Sequence, residues 1–308
     1  MAKKSLKVAG AYFITLIIAL GLVGGAAFYM YNYVLFGDKD TEENLSYIDE
    51  ESEIDGYIPD SSDKQTLLMI MDIEKRASGC TFMLARLLPN ERVVVLMALP
   101  SETAANVDGE DNSIYEFYRT EGTKKAVTAI ENCTGVTIDK YIKFNKESFE
   151  NFYNIFGGTY YDIPYNLIFE NNEGEDTIIR EGNTYIESTT ASKVFSFPNY
   201  KAGEEYRAKI CAFIATDILN KSVLSGFDKH IDDYFSSLIN SNIETNITSY
   251  DYQEHSDALK YVAKSDEKKA KNVIVSGQYD DYGRYILDPN FLKTLNEWFK
   301  LYEIEEIK

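Results

Sequence analysis

Two groups of polar side chains in this sequence have the residue types and spacing to act on a phosphate-containing ligand. The first is the run Ser101-Glu102-Thr103, which follows an apolar segment that ends at Pro100. Polar residues directly after a buried strand often border a binding site, because ligands of α/β sheets bind beside the strand ends. The same three residues are also typical of a turn or a helix cap, and this interpretation stays open.

The second group is cationic and comprises Lys201, Arg207 and Lys209, which lie before and at the start of a predicted helix. Unpaired backbone N–H groups at a helix N-terminus attract anions, so these cations and the helix end together could hold a phosphate. A solvated helix face has the same pattern of charges. The sequence therefore supplies candidates for phosphate binding without deciding between the two interpretations.

Common catalytic and metal-binding motifs are absent from the sequence. It has no glycine-rich phosphate loop, no serine nucleophile elbow and no histidine pair. The three cysteines, Cys80, Cys133 and Cys211, are widely spaced among apolar neighbours, which indicates buried residues rather than zinc ligands, with one disulfide as the alternative. The two histidines, His230 and His255, are predicted to be surface residues.

The acidic character of the chain excludes one class of partner. The sequence has 50 acidic and 31 basic residues, for a net charge of −19. Contact with phosphates of nucleic acid requires a basic surface, so no nucleic-acid partner is expected. Solubility accounts for most of these charges.

Apolar runs alternate with amphipathic segments along most of the chain. Strands are predicted at residues 65–71, 81–88, 92–99, 140–144, 160–164, 273–275 and 285–287. Helices are predicted at residues 123–132, 146–156, 207–221, 227–239 and 290–302. Because strands alternate with helices, the sequence predicts an α/β sandwich.

The N-terminal region predicts a membrane anchor. Residues 8–36 carry no charged side chain, three lysines precede them, and an acidic run follows from Asp38. This order predicts one transmembrane helix with its N-terminus in the cytoplasm. A cleaved signal peptide is the alternative, since Ala26-Ala27 resembles a cleavage site, but the apolar run continues beyond it and favours an uncleaved helix.

The predicted organisation of the chain follows from this anchor. Residues 1–7 form a cytoplasmic tail, residues 8–36 the transmembrane helix, and residues 37–64 an extended acidic linker. Residues 65–302 form one extracytoplasmic domain, and residues 303–308 form a C-terminal tail.

Two segments carry a resemblance to a known family. Residues 135–142, GVTIDKYI, match the pattern GI.IDyYv, and residues 149–164 match F..lvd.lGGV.vdvp. With the order of segments over residues 60–302, these motifs resemble the LytR-CpsA-Psr family of Gram-positive cell-envelope proteins. The resemblance implies a single α/β sandwich with a central mixed sheet and helices on both faces. It also implies transfer of a glycopolymer from a polyprenyl-pyrophosphate carrier to peptidoglycan, with arginines on the pyrophosphate and aspartates on magnesium.

The motifs that the resemblance places in the active site are altered here. The pattern RSDTm corresponds to residues 78–82, so that Cys80 takes the aspartate position. The pattern IPRDT corresponds to residues 99–103, so that its arginine is lost and Glu102 takes the aspartate position. The pattern DfgR..RQ keeps Arg207 but has Ile210 in place of its second arginine. Lost arginines remove forked donors for pyrophosphate, and a neutral cysteine is a poor magnesium ligand.

These departures favour one function and leave two others open. The favoured expectation is a membrane-anchored protein of envelope assembly that binds a polyprenyl (pyro)phosphate lipid and has weak or absent transferase activity. One alternative is an active magnesium-dependent phosphotransferase that attaches glycopolymer to peptidoglycan. The other alternative is a surface adhesion or scaffold protein with a single membrane span.

The resemblance also implies roles for individual residues. Lys201, Arg207 and Lys209 would bind the lipid pyrophosphate. In an active enzyme Glu102 would hold magnesium, with Glu102 and Arg207 as candidate catalytic residues. The implied partners are the lipid bilayer, a polyprenyl-phosphate lipid and a cell-wall polymer, and the implied location is the membrane of a Gram-positive bacterium.

Overall fold

The computed structural model of the protein describes residues 56–74, 80–169, 177–222, 230–264 and 269–300. The predicted transmembrane helix, both predicted tails and most of the predicted linker lie outside these residues. Among the described residues, no helix is both long enough and apolar enough to cross a membrane.

The described residues form strands and helices that alternate along much of the chain. The strands are β1 Thr66–Asp72, β2 Cys80–Leu88, β3 Val93–Leu99, β4 Ala104–Val107, β5 Glu110–Ser113, β6 Lys140–Phe144, β7 Thr159–Ile163, β8 Leu167–Phe169, β9 Thr177–Ile179, β10 Gly182–Ile186, β11 Glu244–Thr245, β12 Ala270–Asn272, β13 Gly277–Tyr279 and β14 Tyr285–Leu287. The α-helices are α1 Ile114–Glu121, α2 Thr123–Thr134, α3 Lys146–Phe156, α4 Ser188–Phe195, α5 Gly203–Ser222, α6 Ile231–Ile239, α7 Ser249–Ala263 and α8 Pro289–Phe299.

A mixed sheet of six strands lies at the centre, in the order β11-β6-β1-β2-β3-β12. Strand β2 is antiparallel to β1 and β3, whereas β6 is parallel to β1 and β12 is parallel to β3. Strands β1, β3, β6 and β12 therefore end at the same side of the sheet, where β2 begins. We call this side the carboxyl edge.

Helices cover both faces of the sheet. On one face Phe117 of α1, Ala126 of α2 and Leu295 of α8 pack in one apolar cluster with Phe82 of β2. On the other face α3, α4 and α5 form a second cluster with the sheet. Each large side chain that is fully buried in this way contributes about 1.5–3 kcal/mol. The predicted α/β sandwich, with a mixed sheet and helices on both faces, is confirmed.

Most predicted elements are present, but one predicted strand is wrong. Strand β6 and helix α3 have the predicted limits. The strand predicted at residues 273–275 is not formed, because the last strand of the sheet is β12 and ends at Asn272. Val273 and Val275 are nevertheless buried, and the N–H of Val273 donates to the carbonyl of Leu96 in β3, so the segment stays beside the sheet just beyond the end of β12. Of the helix predicted at residues 227–239, residues 227–229 lie outside the described residues, and α6 begins at Ile231 after the N-cap residue His230.

The folded domain begins earlier than the sequence predicted. Residues 61–63 form a 3-10 helix, and the ring of Tyr57 lies 5.1 Å from that of Tyr261. Asp63 is buried, accepts a hydrogen bond from the hydroxyl of Tyr57, and lies 3.6 Å from Nδ1 of His255. Residues 57–64 therefore belong to the domain and not to an extended linker. His255 is also not the predicted surface residue, since only 15% of its side chain is exposed, whereas His230 is exposed.

Residues of the matched segments have structural roles. Oδ2 of Asp139 accepts a hydrogen bond of 2.7 Å from the backbone N–H of Thr66, and it lies 3.8 Å from the guanidinium of Arg86. Asp139 thus fixes the start of β1 next to β6. Gly157 ends α3 with a φ of 72°, which a residue with a side chain rarely adopts. A Cβ at Gly158 would lie 2.8 Å from the carbonyl oxygen of Ile186, so this position requires glycine.

We expect Asp139→Ala to destabilise the domain by about 1–3 kcal/mol, because the N–H of Thr66 would lose its acceptor and the guanidinium of Arg86 would lose the nearby carboxylate. Asp139→Asn keeps an amide oxygen for Thr66 and should cost less. Urea denaturation followed by circular dichroism measures both changes. Equal stability of the alanine variant and the wild type would show that Asp139 does not fix the start of β1.

Candidate functional site

The predicted site residues lie at the carboxyl edge of the sheet. Ser101, Glu102 and Thr103 follow the end of β3, and Arg207 lies on the second turn of α5. Ser101 and Thr103 are buried, and Thr103 donates its hydroxyl to the carbonyl of Pro100 at 2.7 Å. The interpretation of this run as a turn is therefore confirmed for Thr103, while Glu102 remains open to a ligand.

Arg207 is fully buried and forms hydrogen bonds within its own helix and with two neighbouring elements. Its Nε donates to Oε2 of Glu204 at 2.8 Å, and Nη2 also contacts this oxygen. Nη1 donates to the hydroxyl of Thr81 and, at 2.8 Å, to the carbonyl of Phe195. Nη2 donates to the carbonyl of Cys80 at 2.8 Å. The guanidinium therefore links the start of α5 to the start of β2 and the end of α4.

These contacts use the full donor capacity of Arg207. A guanidinium has five N–H groups, and the protein supplies acceptors for five hydrogen bonds here. A pyrophosphate would bind Arg207 only by displacing Glu204 or a backbone carbonyl. Displacement would leave a buried acceptor unsatisfied, at a cost of about 1–3 kcal/mol for each one.

The two predicted lysines do not share these partners. Nζ of Lys201 lies 4.4 Å from the ring centroid of Tyr165, which is partly buried. The backbone N–H of Lys201 also donates to the hydroxyl of this tyrosine. Lys209 pairs with Glu205 one turn earlier on α5. Lys201 is exposed and Lys209 is partly buried, whereas Arg207 points into the domain. The structure thus brings the three cations into one region without directing them at one point.

Glu102 lies beside the Arg207 network in an acidic environment. Oε2 of Glu102 accepts a hydrogen bond of 3.3 Å from the hydroxyl of Tyr279. Burial, reinforced by the charge of Glu204, raises the pKa of Glu102 above its usual value. Ser101 is buried, and its hydroxyl donates to Oε2 of Glu204 at 3.1 Å, so this proton is not available to a ligand.

A further group at the same edge was missed from the sequence. Asp72, the last residue of β1, accepts a hydrogen bond of 2.7 Å from the hydroxyl of Tyr118, and its other oxygen is buried without a hydrogen-bond partner. Nζ of Lys143 lies 5.4 Å from the ring centroid of Tyr118 and 3.1 Å from Glu244. A carboxylate that directly follows an apolar run was the signal in the sequence, and it is the same signal that selected Glu102.

Cys80, which takes the position of an aspartate in the family pattern, lies in the core near the start of β2. Cys80 is completely buried, and burial raises the pKa of its thiol well above the ordinary value. All three cysteines are free, as the buried-residue interpretation predicted, although Cys133 is only partly buried. Among the described residues, no three side chains of the types Asp, Glu, His or Cys converge in a group that would hold a metal ion. Magnesium in proteins is usually held by one or two carboxylates together with the phosphates of a substrate, and the carboxylates of this kind at the carboxyl edge are Glu102 and Asp72.

A second feature lies towards the opposite end of the sheet. An apolar cavity of about 360 Å³ is present on the face covered by α3 and α5. Its floor is formed by alternate residues of the central strands, and its walls come from α3, α5, α6 and α7. The lining includes Leu67, Met69, Ala85, Leu87, Val94, Leu96, Ile142, Phe152, Ile155, Phe156, Leu219, Ile231, Phe235, Leu238, Leu259 and Val262. Polar residues also line the cavity near the starts of the parallel strands, and they include Gln65, Lys140, Asp251, His255 and Lys269.

A family model described as the LytR_cpsA_psr family matches residues 34–294 of this sequence. The chain belongs to the LytR-CpsA-Psr family. The match includes the sheet, both helical layers and every predicted site residue. The resemblance that the two motif segments indicated is therefore confirmed.

Characterised members and solved structures agree with this membership. The chain is 22% identical over 281 residues to the polyisoprenyl-teichoic acid–peptidoglycan teichoic acid transferase TagU of Bacillus subtilis, covering 86% of this chain and 89% of TagU. Its fold is similar to that of a protein from Eubacterium siraeum described as a transcription regulator, with a TM-score of 0.70, 22% identity, and coverage of 86% and 100% of the two chains. It is also similar to B. subtilis TagV, with a TM-score of 0.61, 17% identity, and coverage of 77% and 96%.

We expect Arg207→Ala to destabilise this LytR-CpsA-Psr domain by about 3–5 kcal/mol, because Glu204 would remain as a buried charge without its partner. Arg207→Lys keeps the charge but not the five donors, and should lie between the alanine variant and the wild type. Urea denaturation measures both losses.

The pair Glu116 and Arg119 on α1 is a matched control, since it has the same spacing but is solvent-exposed. Arg119→Ala should cost less than about 1 kcal/mol. If Arg207→Ala and Arg119→Ala had equal effects, the Arg207 network would not have the structural role assigned to it.

A second expectation concerns the ionisation of Glu102. The folded state raises its pKa above the unfolded value of about 4.5, so the ionised carboxylate destabilises the fold once the pH exceeds that value. Glu102→Gln should therefore increase stability at about pH 7, and the gain should shrink towards about pH 5. Urea denaturation across this range, with the exposed Glu110→Gln as control, measures the effect. A gain that is independent of pH would contradict this origin.

Proposed function

We propose that this protein is a membrane-anchored member of the LytR-CpsA-Psr family that holds a polyprenyl (pyro)phosphate lipid and has weak or absent transferase activity. The observation that carries the proposal is the apolar cavity over the sheet, combined with the full engagement of Arg207 at the carboxyl edge.

The chemistry of the cavity favours a long hydrocarbon chain. Its lining is almost wholly apolar, and its volume of about 360 Å³ lies within the usual range of ligand pockets. An isoprenoid chain has no polar atoms that need hydrogen-bond partners, so burial of its surface is the main favourable contribution. TagU, a relative over most of the chain, is named for a polyisoprenyl-linked substrate. This relationship supports an isoprenoid occupant in preference to another apolar molecule.

The side chains at the carboxyl edge favour weak or absent phosphoryl transfer. Phosphoryl transfer relies on positioned cations that stabilise charge on the transferring group. Arg207 already donates to protein acceptors, and Ser101 stands where the family pattern has an arginine. Glu102 adds negative charge beside Glu204, which disfavours a pyrophosphate at this position. Lys201 remains as an exposed cation that would attract a lipid head group, whereas Lys209 is paired with Glu205.

The transmembrane helix predicted at residues 8–36 would anchor the protein in the cytoplasmic membrane. A protein anchored in the cytoplasmic membrane of a Gram-positive bacterium, with its domain outside, would have access to a membrane-bound carrier lipid. The protein would then act in envelope assembly by holding or presenting the carrier, with a cell-wall polymer as a further partner.

Active transfer remains the second candidate, because TagU is a transferase and aligns with 86% of this chain. In that case magnesium would be required, with Glu102 and Arg207 as the residues on which activity depends. Because Arg207 has all five N–H groups on protein acceptors and Ser101 takes the position of an arginine in the family pattern, this candidate has less support than lipid binding.

We expect the full-length protein, extracted in mild detergent, to retain a polyprenyl phosphate or pyrophosphate in about equimolar amount, as measured by native mass spectrometry. Ala85→Phe should remove the lipid, since Ala85 lines the apolar cavity and the larger ring would occupy it. Ala104→Phe is the matched control, because Ala104 lines a separate, more polar cavity that includes Arg284. It should leave the retained lipid unchanged.

A transfer assay with the lipid-loaded protein separates the two candidates. We expect no magnesium-dependent transfer above the level of Glu102→Ala. Transfer that requires magnesium and is lost in Glu102→Ala and Arg207→Lys would establish the active enzyme. An empty wild-type protein would contradict lipid binding and favour an adhesion or scaffold role.

A further inference from the structure

Helix α6 forms one wall of the apolar cavity with a single face. The side chains that line the cavity lie three and four residues apart, on one side of the helix, and they are Ile231, Tyr234, Phe235 and Leu238. Because this face borders a space of about 360 Å³, it has fewer dispersion contacts than a helix face that packs into a filled core. A hydrocarbon chain in the cavity would therefore supply contacts to α6 that the protein itself does not.

The neighbouring helix α7 is attached to other parts of the domain near both of its ends. Near its start, Asp251 pairs with Lys140 of β6 at 2.6 Å. Near its end, the ring of Tyr261 lies 5.1 Å from the ring of Tyr57, and the guanidinium of Arg92 lies 4.2 Å from the centroid of the same Tyr261 ring. Helix α7 is therefore a fixed support beside the cavity.

Asp232 attaches α6 to this support. Its Oδ1 accepts a hydrogen bond of 2.6 Å from the hydroxyl of Tyr252, and its Oδ2 lies 2.9 Å from Nζ of Lys260. Hydrogen bonds from Tyr252 and Lys260 to the ionised carboxylate lower the pKa of Asp232 below its usual value. The ring of Phe235 also stacks on that of Tyr252, with centroids 3.9 Å apart. The carboxylate of Asp232 thus joins two residues of α7 to α6.

We propose that α6 is a lid that admits an apolar chain to the cavity, and that Asp232 is the latch that holds this lid against α7. The inference rests on the proposed function, because it assigns the way into the same cavity. Opening separates the apolar face of α6 from the cavity while α7 keeps its contacts with the sheet. A bound chain adds contacts to this face and favours the closed lid.

Thiol labelling inside the cavity tests the lid without a lipid ligand. The full-length protein, in phosphatidylcholine nanodiscs, carries Ala85→Cys, which places a thiol in the cavity wall, and Cys133→Ser, which removes the partly buried native thiol. Asp232→Asn should increase the rate of labelling by N-ethylmaleimide about fivefold, because the amide lacks the charge that pairs with Lys260. Cys80 is completely buried and should stay unlabelled, so it reports whether the whole domain unfolds.

Asp233→Asn is the matched control for Asp232→Asn. Asp233 is the next residue in the first turn of α6, its side chain is 84% exposed, and it lies 3.6 Å from Nδ1 of His230, which precedes the same helix. This substitution should leave the labelling rate unchanged. Equal rates for the two asparagine variants would overturn the latch. Labelling of Cys80 together with the cavity thiol would also overturn it, because opening would then involve the whole domain.

Amide hydrogen exchange, measured by mass spectrometry of peptides, locates the motion. Asp232→Asn should accelerate exchange in α6 and leave α7 unchanged, and equal acceleration in both helices would contradict a lid formed by α6. Undecaprenyl phosphate added to the nanodiscs should slow the labelling of the cavity thiol at Ala85→Cys. If it did not, while Asp232→Asn still accelerated labelling, the lipid function would be contradicted and the lid supported, so the two failures are seen separately.

Discussion

The buried ion pair between Glu204 and Arg207 is the interaction on which the carboxyl edge depends. Through it, the start of α5 contacts Ser101 after β3, Thr81 and Cys80 at the start of β2, and Phe195 at the end of α4. A buried charge is tolerated only when its partners are complete. Because these partners come from distant parts of the chain, the edge is rigid, and a ligand that competed for Arg207 would disturb all of them. The contacts that stabilise the fold thus occupy every N–H group of Arg207.

The regular parts of the fold could be predicted because they obey hydrophobic periodicity. Strand β6 alternates, and α3 combines an apolar face with a capping residue, Asn145, and the terminal Gly157. Residues 273–275 show where this reasoning fails, since two buried valines in an irregular segment have the same pattern as a strand. Helix α7, with many charged residues over a weak apolar face, and the short strands β8 to β10 give signals that local patterns do not separate from loops.

The site could be predicted only as a location. The sequence placed Glu102 and Arg207 near strand and helix ends, and the fold brings both to the carboxyl edge. It could not show that Arg207 points inwards, because the orientation depends on acceptors such as the carbonyls of Cys80 and Phe195, which every residue possesses. Asp72 follows an apolar run, but it was missed because the sequence has 50 acidic residues and only the contact with Tyr118 distinguishes this one. Cys80 was identified by motif position, and its role in the core became clear only from its burial.

The apolar cavity and the carboxyl edge are formed by different residues, so binding of an apolar ligand and phosphoryl transfer depend on different side chains. The cavity depends on side-chain volume and apolar surface, which tolerate many substitutions as long as the space is retained. Phosphate transfer depends on a few forked donors and hard oxygen ligands at fixed positions, where one exchange removes most of the effect. Ser101, which takes the position of an arginine in the family pattern, does not line the apolar cavity, so a change at this position leaves the cavity lining intact. A domain of this architecture can therefore vary at the carboxyl edge while the residues that line the cavity stay the same.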